Sequence, residues 1–261
     1  MSVTIAAEPA LQIKQFACLA DNYGFLIRDP VSGETAAVDT PCVETILGAL
    51  DGAGWKLTQI WNTHWHPDHT GGNLALKEAT GARVIGPKGE AGRIPGLDQA
   101  VGQGDQVRLG EKIADVLDTP GHTLGHIAFY FAQDQAAFVG DTLFALGCGR
   151  LFEGTAPMMW ASLQKLASLP PATQIYCAHE YTLANGRFAL DIDPDNQALI
   201  ARMEEIEQKR RNGLPTVPTT IAAELATNPF LQARLPAFQR RLETTDAISA
   251  FAIARQRKDR F

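Results

Sequence analysis

The sequence predicts an α+β protein made of two strand-and-helix halves, followed by a C-terminal part made of helices. Short apolar stretches bounded by Gly, Pro or polar residues recur up to residue 178, which is typical of strands. Stretches with apolar residues at helical spacing separate them, and beyond residue 195 no strand-like stretch is visible. The 261 residues, 45% of them hydrophobic, suffice for one large domain or for a domain with an appendage.

The first half begins with a predicted β-meander over residues 11–40, where apolar and polar residues alternate around a turn-rich segment. Thr40 and Pro41 suit the N-cap and first position of a helix, which is expected to end near residue 50. The other predicted elements of this half are a strand over 59–63, a helix over 73–80, and a strand starting at residue 83 that leads into a glycine-rich loop up to residue 104.

The second half repeats the plan and ends in the helical tail. Apolar residues at helical spacing predict a core-facing helix over 158–168. Predicted strands of this half cover 107–109, 113–117, 127–131, 136–139 and 174–178. Predicted tail helices cover 198–211, 219–226 and 243–258.

Charge and composition restrict the function. A net charge of −6 argues against a broad nucleic-acid-binding surface, which needs an excess of Lys and Arg. No run reaches the roughly 18 to 20 apolar residues of a membrane span, and the first residues lack the features of a secretory signal. Four scattered cysteines suit reduced thiols, so the expected location is the cytoplasm. The sequence does not determine the oligomeric state, and a monomer is the working expectation.

Metal-ligand chemistry is concentrated in residues 63–69, which hold three of the six histidines and one aspartate. Imidazole and carboxylate bind zinc and related divalent ions. His64 and His66 are two residues apart, so in an extended segment they point the same way and converge on one ion. Asp68 and His69 would then face a different centre, and the cluster predicts a metal site.

Three further candidate ligands each follow a predicted strand: His122, Asp141 and His179. Loops at strand ends carry the functional site in layered α/β proteins. Seven ligands are too many for one tetrahedral ion but suit two, and a carboxylate such as that of Asp141 can bridge them. The expected cofactors are therefore two divalent ions, with zinc preferred and iron or manganese as alternatives.

This ligand pattern resembles that of the metallo-β-lactamase fold, an αββα sandwich with a two-metal site. Within that superfamily the chain is most similar to the glyoxalase II family, the hydroxyacylglutathione hydrolases. Motifs at 147–155, 179–182, 228–231 and 255–261 carry this closer resemblance. The resemblance implies a catalytic metal-binding domain over residues 1–180 and a helical substrate-binding domain over residues 181–261.

The resemblance also implies how the ligands divide. One ion is held by His64, His66 and His122, and the other by Asp68, His69 and His179. Asp141 bridges the two ions, and Asp141 and Asp68 are the expected catalytic residues. The implied reaction is hydrolysis of S-D-lactoylglutathione and other 2-hydroxyacylglutathiones by a hydroxide shared between the ions. It yields glutathione and D-lactate, the second step of methylglyoxal detoxification.

Substrate recognition is assigned by the same resemblance. Arg255 and Lys258, three apart on a helix, together with Arg150 are expected to bind a glutathione carboxylate. Tyr181 is expected to hydrogen-bond the tripeptide backbone. The family has lysine and tyrosine where this chain has Arg150 and Phe152, so one hydrogen bond of the family is lost. Candidate outer hydrogen-bond partners of the ligands are Asp39 and Thr182, while His126 is interpreted as structural.

Three alternatives stay open from the sequence. A persulfide dioxygenase shares most of the metal pattern but uses one iron and lacks the helical tail. A nuclease or lactonase of the same fold needs different substrate elements. The domain could also be a non-catalytic metal-binding module, although a complete ligand set argues against loss of activity.

Overall fold

The computed structural model describes residues 9–261 of the chain. A first sheet has six strands that lie side by side in sequence order. They are β1 (Gln12–Cys18), β2 (Asn22–Arg28), β3 (Thr35–Val38), β4 (Gln59–Trp61), β5 (Arg83–Pro87) and β6 (Gln99–Val101). The strands β1 to β3 pair antiparallel, while β3 to β6 pair parallel, so β3 and β4 end at the same edge of the sheet.

A second six-stranded sheet follows. Its strands are β7 (Gln106–Leu109), β8 (Lys112–Asp118), β9 (Ile127–Phe131), β10 (Ala136–Gly140), β13 (Gln174–Cys177) and β14 (Thr219–Thr220). They are ordered β14-β13-β10-β9-β8-β7 across the sheet, and only β10 and β13 run parallel. A separate two-stranded ribbon pairs β11 (Leu143–Phe144) with β12 (Gly147–Cys148).

Helices cover the outer faces and form the C-terminal part. The helices within the sheet region are α1 (Val43–Ala53), α2 (Pro67–Thr70), α3 (Asn73–Thr80) and α4 (Ala156–Ala167), with a 3₁₀ segment over Lys88–Arg93. Those of the C-terminal part are α5 (Thr182–Ile192), α6 (Gln197–Arg211), α7 (Ile221–Thr227), α8 (Pro229–Gln232), α9 (Pro236–Arg241) and α10 (Ala247–Lys258). Within residues 9–261 no helix has the length and apolar character needed to cross a membrane.

Alternation along the strands separates two faces of the first sheet. On β2, Phe25 and Ile27 belong to the core between the sheets, whereas Leu26 belongs to the cluster that α1 and α3 cover. Phe25 meets Phe138 of the second sheet with ring centroids 5.5 Å apart. Successive side chains of a strand point to opposite faces of the sheet, so neighbouring apolar residues of β2 enter different clusters and both faces of the strand are buried. The predicted αββα sandwich with a C-terminal helical region is confirmed.

The predicted start of the first helix is wrong. Cys42, not Thr40, is the N-cap of α1, and its side chain makes no capping hydrogen bond. The hydroxyl of Thr40 donates instead to Asn73 Oδ1 at 2.6 Å. This hydrogen bond links the end of β3 to α3. The Thr40 hydroxyl therefore does not cap α1, because the long-range partner competes with the local capping contact.

The tail and the glycine-rich loop contain elements that the pattern did not predict. β14 contradicts the expectation of no strand after residue 195, and it pairs antiparallel with β13. The last helix begins at Ala247 rather than near residue 243, because the Asp246 carboxylate caps it by accepting from Ser249 N at 2.9 Å. α5, α8 and α9 were not predicted, and the glycine-rich loop holds β6 and the 3₁₀ segment.

Candidate metal centre and substrate cavity

The first group of donor atoms comes from three histidines, two of which have uncharged outer hydrogen-bond partners. The Nε2 atoms of His64 and His122 each lie 3.0 Å from Nδ1 of His66. Thr63 Oγ1 donates to Asp39 at 2.9 Å, so it accepts from His64 Nδ1 at 3.1 Å. The Arg150 carbonyl oxygen accepts from His122 Nδ1 at 2.9 Å. The Nε2 atoms of His64 and His122 therefore present lone pairs toward His66 Nδ1, which is an arrangement that a cation stabilises.

The second group of donors consists of Asp68, His69 and His179. Asp68 Oδ2 lies 3.3 Å from His69 Nε2 and 3.5 Å from His179 Nε2. The Nδ1 atom of His69 donates to Asp39 at 2.8 Å, as predicted for that aspartate. Both histidines of this group therefore direct Nε2 toward the Asp68 carboxylate, and the three donor atoms can hold one ion.

Asp141 lies between the two groups and offers one oxygen to each. Its Oδ2 atom is 3.3 Å from His122 Nε2, while Oδ1 is 3.4 Å from His179 Nε2 and 3.5 Å from His69 Nε2. Asp141 Oδ1 and His69 Nε2 are buried without a hydrogen-bond partner. Buried polar atoms are normally satisfied, so the donor set fits bound cations. His64, His69 and Asp141 also lie within 4.8 Å of one another, so the donors form one continuous cluster.

The strand ends of both sheets bring these donors together. Residues 63–69 follow β4, and α2 begins at Pro67, so Asp68 and His69 lie in its first turn. Asp141 follows β10 through Gly140, whose φ of +47° favours glycine. A Cβ atom at Gly140 would lie only 2.5 Å from Thr63 Oγ1. This position therefore allows the two ligand-bearing loops to approach each other closely.

The electrostatics of the cluster favour the metal-binding protonation states for most donors. Burial, followed by the charges of neighbouring histidines, lowers the pKa of His64 and His66, so both are neutral at pH 7. Burial alone would raise the pKa of Asp141, but His69 and His179 outweigh it and hold that pKa far below the usual range. The pKa of His69 is raised, chiefly because Asp141 and Asp39 outweigh its burial. A bound cation replaces such a proton.

His126 has the structural role that the sequence suggested. Its Nε2 atom accepts a hydrogen bond from the backbone N–H of Asp141 at 3.1 Å, and Nδ1 lies 2.8 Å from the Thr119 hydroxyl. Thr182, a candidate outer partner, accepts from the Thr216 hydroxyl at 2.6 Å instead of bonding a ligand. The expectation for Thr182 is therefore wrong.

Two outer partners were missed by sequence reasoning. Asp21 Oδ1 accepts from His179 Nδ1 at 2.8 Å, and Asn22 Nδ2 donates to Asp68 Oδ2 at 3.1 Å. Asp21 lies in the β1–β2 turn and Asn22 is the first residue of β2, so both lie where Asp and Asn are ordinary turn-forming residues. Neither has a metal-ligand spacing relative to residues 63–69, so the sequence contained no signal for this role.

A cavity of about 480 Å³ extends from the donor cluster to the C-terminal helices. His122 and Asp141 line one part of it, and the substrate residues predicted from the sequence line it as well: Arg150, Tyr181, Arg255 and Lys258. Tyr181 stacks on His179 with ring centroids 4.7 Å apart. Phe152 packs against His122 at 5.1 Å and is 62% exposed. The cavity thus has candidate metal ligands, an aromatic wall and three cationic side chains.

Arg255 and Lys258 differ in their surroundings although both line the cavity. Arg255 is 5% exposed and donates to the Cys148 carbonyl at 2.9 Å and, through two nitrogens, to Asp259 Oδ1. It therefore also joins α10 to β12. Lys258 donates to the carbonyl of Ala184 at 3.2 Å. Burial, and then the charges of Arg255 and Arg150, lower the pKa of Lys258, as expected where cations converge.

Comparison with known proteins agrees with this architecture. Residues 21–179 match the family described as "Metallo-beta-lactamase superfamily", and residues 180–261 match "Hydroxyacylglutathione hydrolase C-terminus". The fold and the His/Asp clusters together support divalent-metal binding. The crystal structure of ETHE1 from Myxococcus xanthus has a TM-score of 0.67 and 27% identity, covering 91% of this chain and 90% of that chain.

Two curated relatives are similar over nearly their whole lengths. The hydroxyacylglutathione hydrolase of Maricaulis maris is 57% identical across 96% of this chain and 99% of its own length. That of Hyphomonas neptunium is 54% identical across 96% of this chain and 98% of its own. The chain belongs to the hydroxyacylglutathione hydrolase family, the thioester hydrolases of the metallo-β-lactamase superfamily, as its sequence motifs predicted.

Proposed function

We propose that this chain hydrolyses S-D-lactoylglutathione and other 2-hydroxyacylglutathiones to glutathione and the 2-hydroxy acid, the second step of methylglyoxal detoxification. The observation that carries the proposal is the cavity of about 480 Å³ that connects Asp141 and His122 with three cationic side chains. A glutathione thioester suits this arrangement, because its reactive carbonyl is attached to the cysteine sulfur and its two carboxylates lie at the ends of the tripeptide, away from that carbonyl.

The proposed cofactors are two divalent ions, with zinc preferred and iron or manganese as alternatives. His64, His66 and His122 would hold one ion, Asp68, His69 and His179 would hold the other, and Asp141 would bridge them. When bound, such a pair supplies a hydroxide nucleophile near neutral pH and polarises the thioester carbonyl. The separate oxygens that Asp141 offers to the two groups support the bridging role.

The proposed roles of the chain's own residues follow from their contacts. Asp68 is 40% exposed at its side chain and accepts from Asn22, so its carboxylate can orient the attacking water while it serves as a ligand. Tyr181 presents its ring beside His179, and burial, followed by the charges of Asp21 and Asp141, raises the pKa of its phenol. The Tyr181 hydroxyl is therefore a neutral donor at pH 7, suited to the tripeptide backbone.

Recognition of the glutathione end is assigned to Arg150, Arg255 and Lys258. Glutathione carries two carboxylates and one ammonium group, so its net charge is negative at pH 7 and cations at one end of a cavity attract it. Charge-assisted hydrogen bonds to a carboxylate are the strong ones in proteins. In this proposal Arg255 also keeps the cavity wall in place through its bond to the Cys148 carbonyl.

The division into a catalytic domain over 1–180 and a substrate-binding domain over 181–261 remains a prediction, as do the cytoplasmic location and the monomeric state. The division is supported by the placement of metal donors before residue 180 and of Arg255 and Lys258 after it.

The test is an assay in which purified, metal-loaded protein acts on S-D-lactoylglutathione. Loss of the thioester, release of thiol and consumption of dioxygen are measured together. We expect one thiol for each thioester and no dioxygen consumption. The matched comparison is the D-lactoyl thioester of N-acetylcysteamine, which carries no carboxylate and should react far less efficiently. Faster formation of sulfite from glutathione persulfide than thioester hydrolysis would overturn the proposal.

A further inference from the structure

The β1–β2 turn is held against the strand end that carries His179. The backbone N–H of Tyr23 donates to the Ala178 carbonyl at 2.7 Å, and the N–H of Glu180 donates to the Asp21 carbonyl at 2.9 Å. Asn22 and His179 form an isolated antiparallel bridge. These contacts place the Asp21 and Asn22 side chains beside the donor cluster. Their hydrogen bonds go to His179 and Asp68, and not to the group formed by His64, His66 and His122.

The two side chains of this turn orient two ligands of the same group. Asp21 Oδ1 accepts from His179 Nδ1 at 2.8 Å, which directs His179 Nε2 inward. Asn22 Nδ2 donates to Asp68 Oδ2 at 3.1 Å, and Asn22 itself is 6% exposed. A histidine whose outer N–H is bound by a carboxylate is a better donor, and such partners typically change metal affinity by about 10- to 100-fold.

The outer partners make the two groups electrostatically unequal. In the group of Asp68, His69 and His179, one ligand is a carboxylate and both imidazoles donate to carboxylates, those of Asp39 and Asp21. In the other group, His64 and His122 donate to a hydroxyl and a backbone carbonyl, both uncharged. Asp141 is shared by both groups. Apart from it, the carboxylates of Asp68, Asp39 and Asp21 favour a cation in the group of Asp68, His69 and His179, and no carboxylate does so in the other group.

We propose that Asp21 and Asn22 are positioning residues for the group of Asp68, His69 and His179, and that this group binds a divalent cation more tightly than the group of His64, His66 and His122. The inference rests on the proposed metal ligands. The inference concerns metal affinity, whereas the proposed function concerns thioester hydrolysis. If the chain hydrolyses the thioester and binds two ions with equal affinity, the inference is overturned and the proposed function stands.

The experiment is calorimetric titration of metal-free protein with Zn²⁺ alone, with elemental analysis of the product. We expect two ions of different affinity in the wild-type chain. His66→Ala should keep the tighter ion, because His66 belongs to the other group. Adding Asp21→Asn to His66→Ala should weaken the remaining ion by about 10- to 100-fold.

Two further variants separate charge from orientation. Asp21→Asn keeps an oxygen that can accept from His179 Nδ1, whereas Asp21→Ala removes the hydrogen bond as well and should weaken the ion further. The Asp21 side chain is 43% exposed, so asparagine should be accommodated, and circular dichroism checks the fold. Asp51→Asn, at an exposed position of α1, removes the same charge remotely and should leave both affinities unchanged.

Besides equal affinity of the two ions, three outcomes would overturn the proposal. In the first, Asp21→Asn leaves both affinities unchanged. In the second, it weakens both ions equally. In the third, His66→Ala loses the tighter ion, which would assign that ion to the group of His64, His66 and His122.

Discussion

Replacing Lys258 by alanine tests whether the C-terminal helix is part of the substrate site. Lys258 lines the cavity, and its ammonium group donates to the Ala184 carbonyl at 3.2 Å, with the Phe188 ring 5.4 Å away. A charge-assisted hydrogen bond to a carboxylate contributes about 1.5–3 kcal/mol. Arg150 and Arg255 remain in the cavity, so the lower value applies and KM should rise about tenfold. The metal donors are untouched, so kcat should stay within about twofold.

The assay is steady-state kinetics on S-D-lactoylglutathione, with metal content measured for every variant. The matched control is Arg257→Ala, which removes the same charge from the preceding residue, an exposed position outside the cavity lining. Lys258 is preferred to Arg255 because Arg255→Ala would also break the bond to the Cys148 carbonyl and mix stability with binding. An unchanged KM in Lys258→Ala, or an equal rise in the control, would refute the reasoning.

Three further predictions follow from the same contacts. Asp141→Ala removes both oxygens that face the two donor groups, so metal content should fall and hydrolysis should drop by about a hundredfold or more; full occupancy with wild-type turnover would contradict the bridging role. Because the pKa of Lys258 is lowered, its charge is present at low pH and lost as pH rises, earlier than for an ordinary lysine. KM should therefore rise on the alkaline side, and Lys258→Arg should keep KM flat there, since guanidinium stays charged; the same alkaline rise in both proteins would exclude this cause. Glu224→Gln leaves the Arg202 guanidinium without its buried anion and should lower the free energy of unfolding by about 3 kcal/mol, measured with urea; a change below about 1 kcal/mol would show that the pair contributes little.

The candidate metal donors could be recognised in the sequence because their chemistry and spacing are local. Four donors lie in residues 63–69, and the other three each follow a strand whose apolar pattern marks its end. Strand ends share the edges of sheets, so donors far apart in the chain were expected to meet there. Short apolar stretches bounded by Gly, Pro or polar residues predicted most strands, including β2, β9 and β10.

Elements with weak local patterns were missed. β14 has two residues and exists because it pairs with β13, so no periodicity in its own sequence reveals it. Thr40 has the composition of an N-cap but bonds Asn73, a residue 33 positions away. A capping contact and a buried hydrogen bond each contribute about 1 kcal/mol, so the tertiary packing, rather than the local composition, decides which of them forms.

By itself, the sequence determined the fold class, the family and the side chains that can hold metal, since these depend on residue types, spacing and alternation. Only the tertiary structure decided which groups surround those side chains. Asp21 bonds His179 across 158 positions of the chain, and Arg255 bonds the Cys148 carbonyl across 107. Such pairs form when the packing of two sheets and the tail brings distant segments together, and each side chain taken alone is equally compatible with a solvated turn or a helix end.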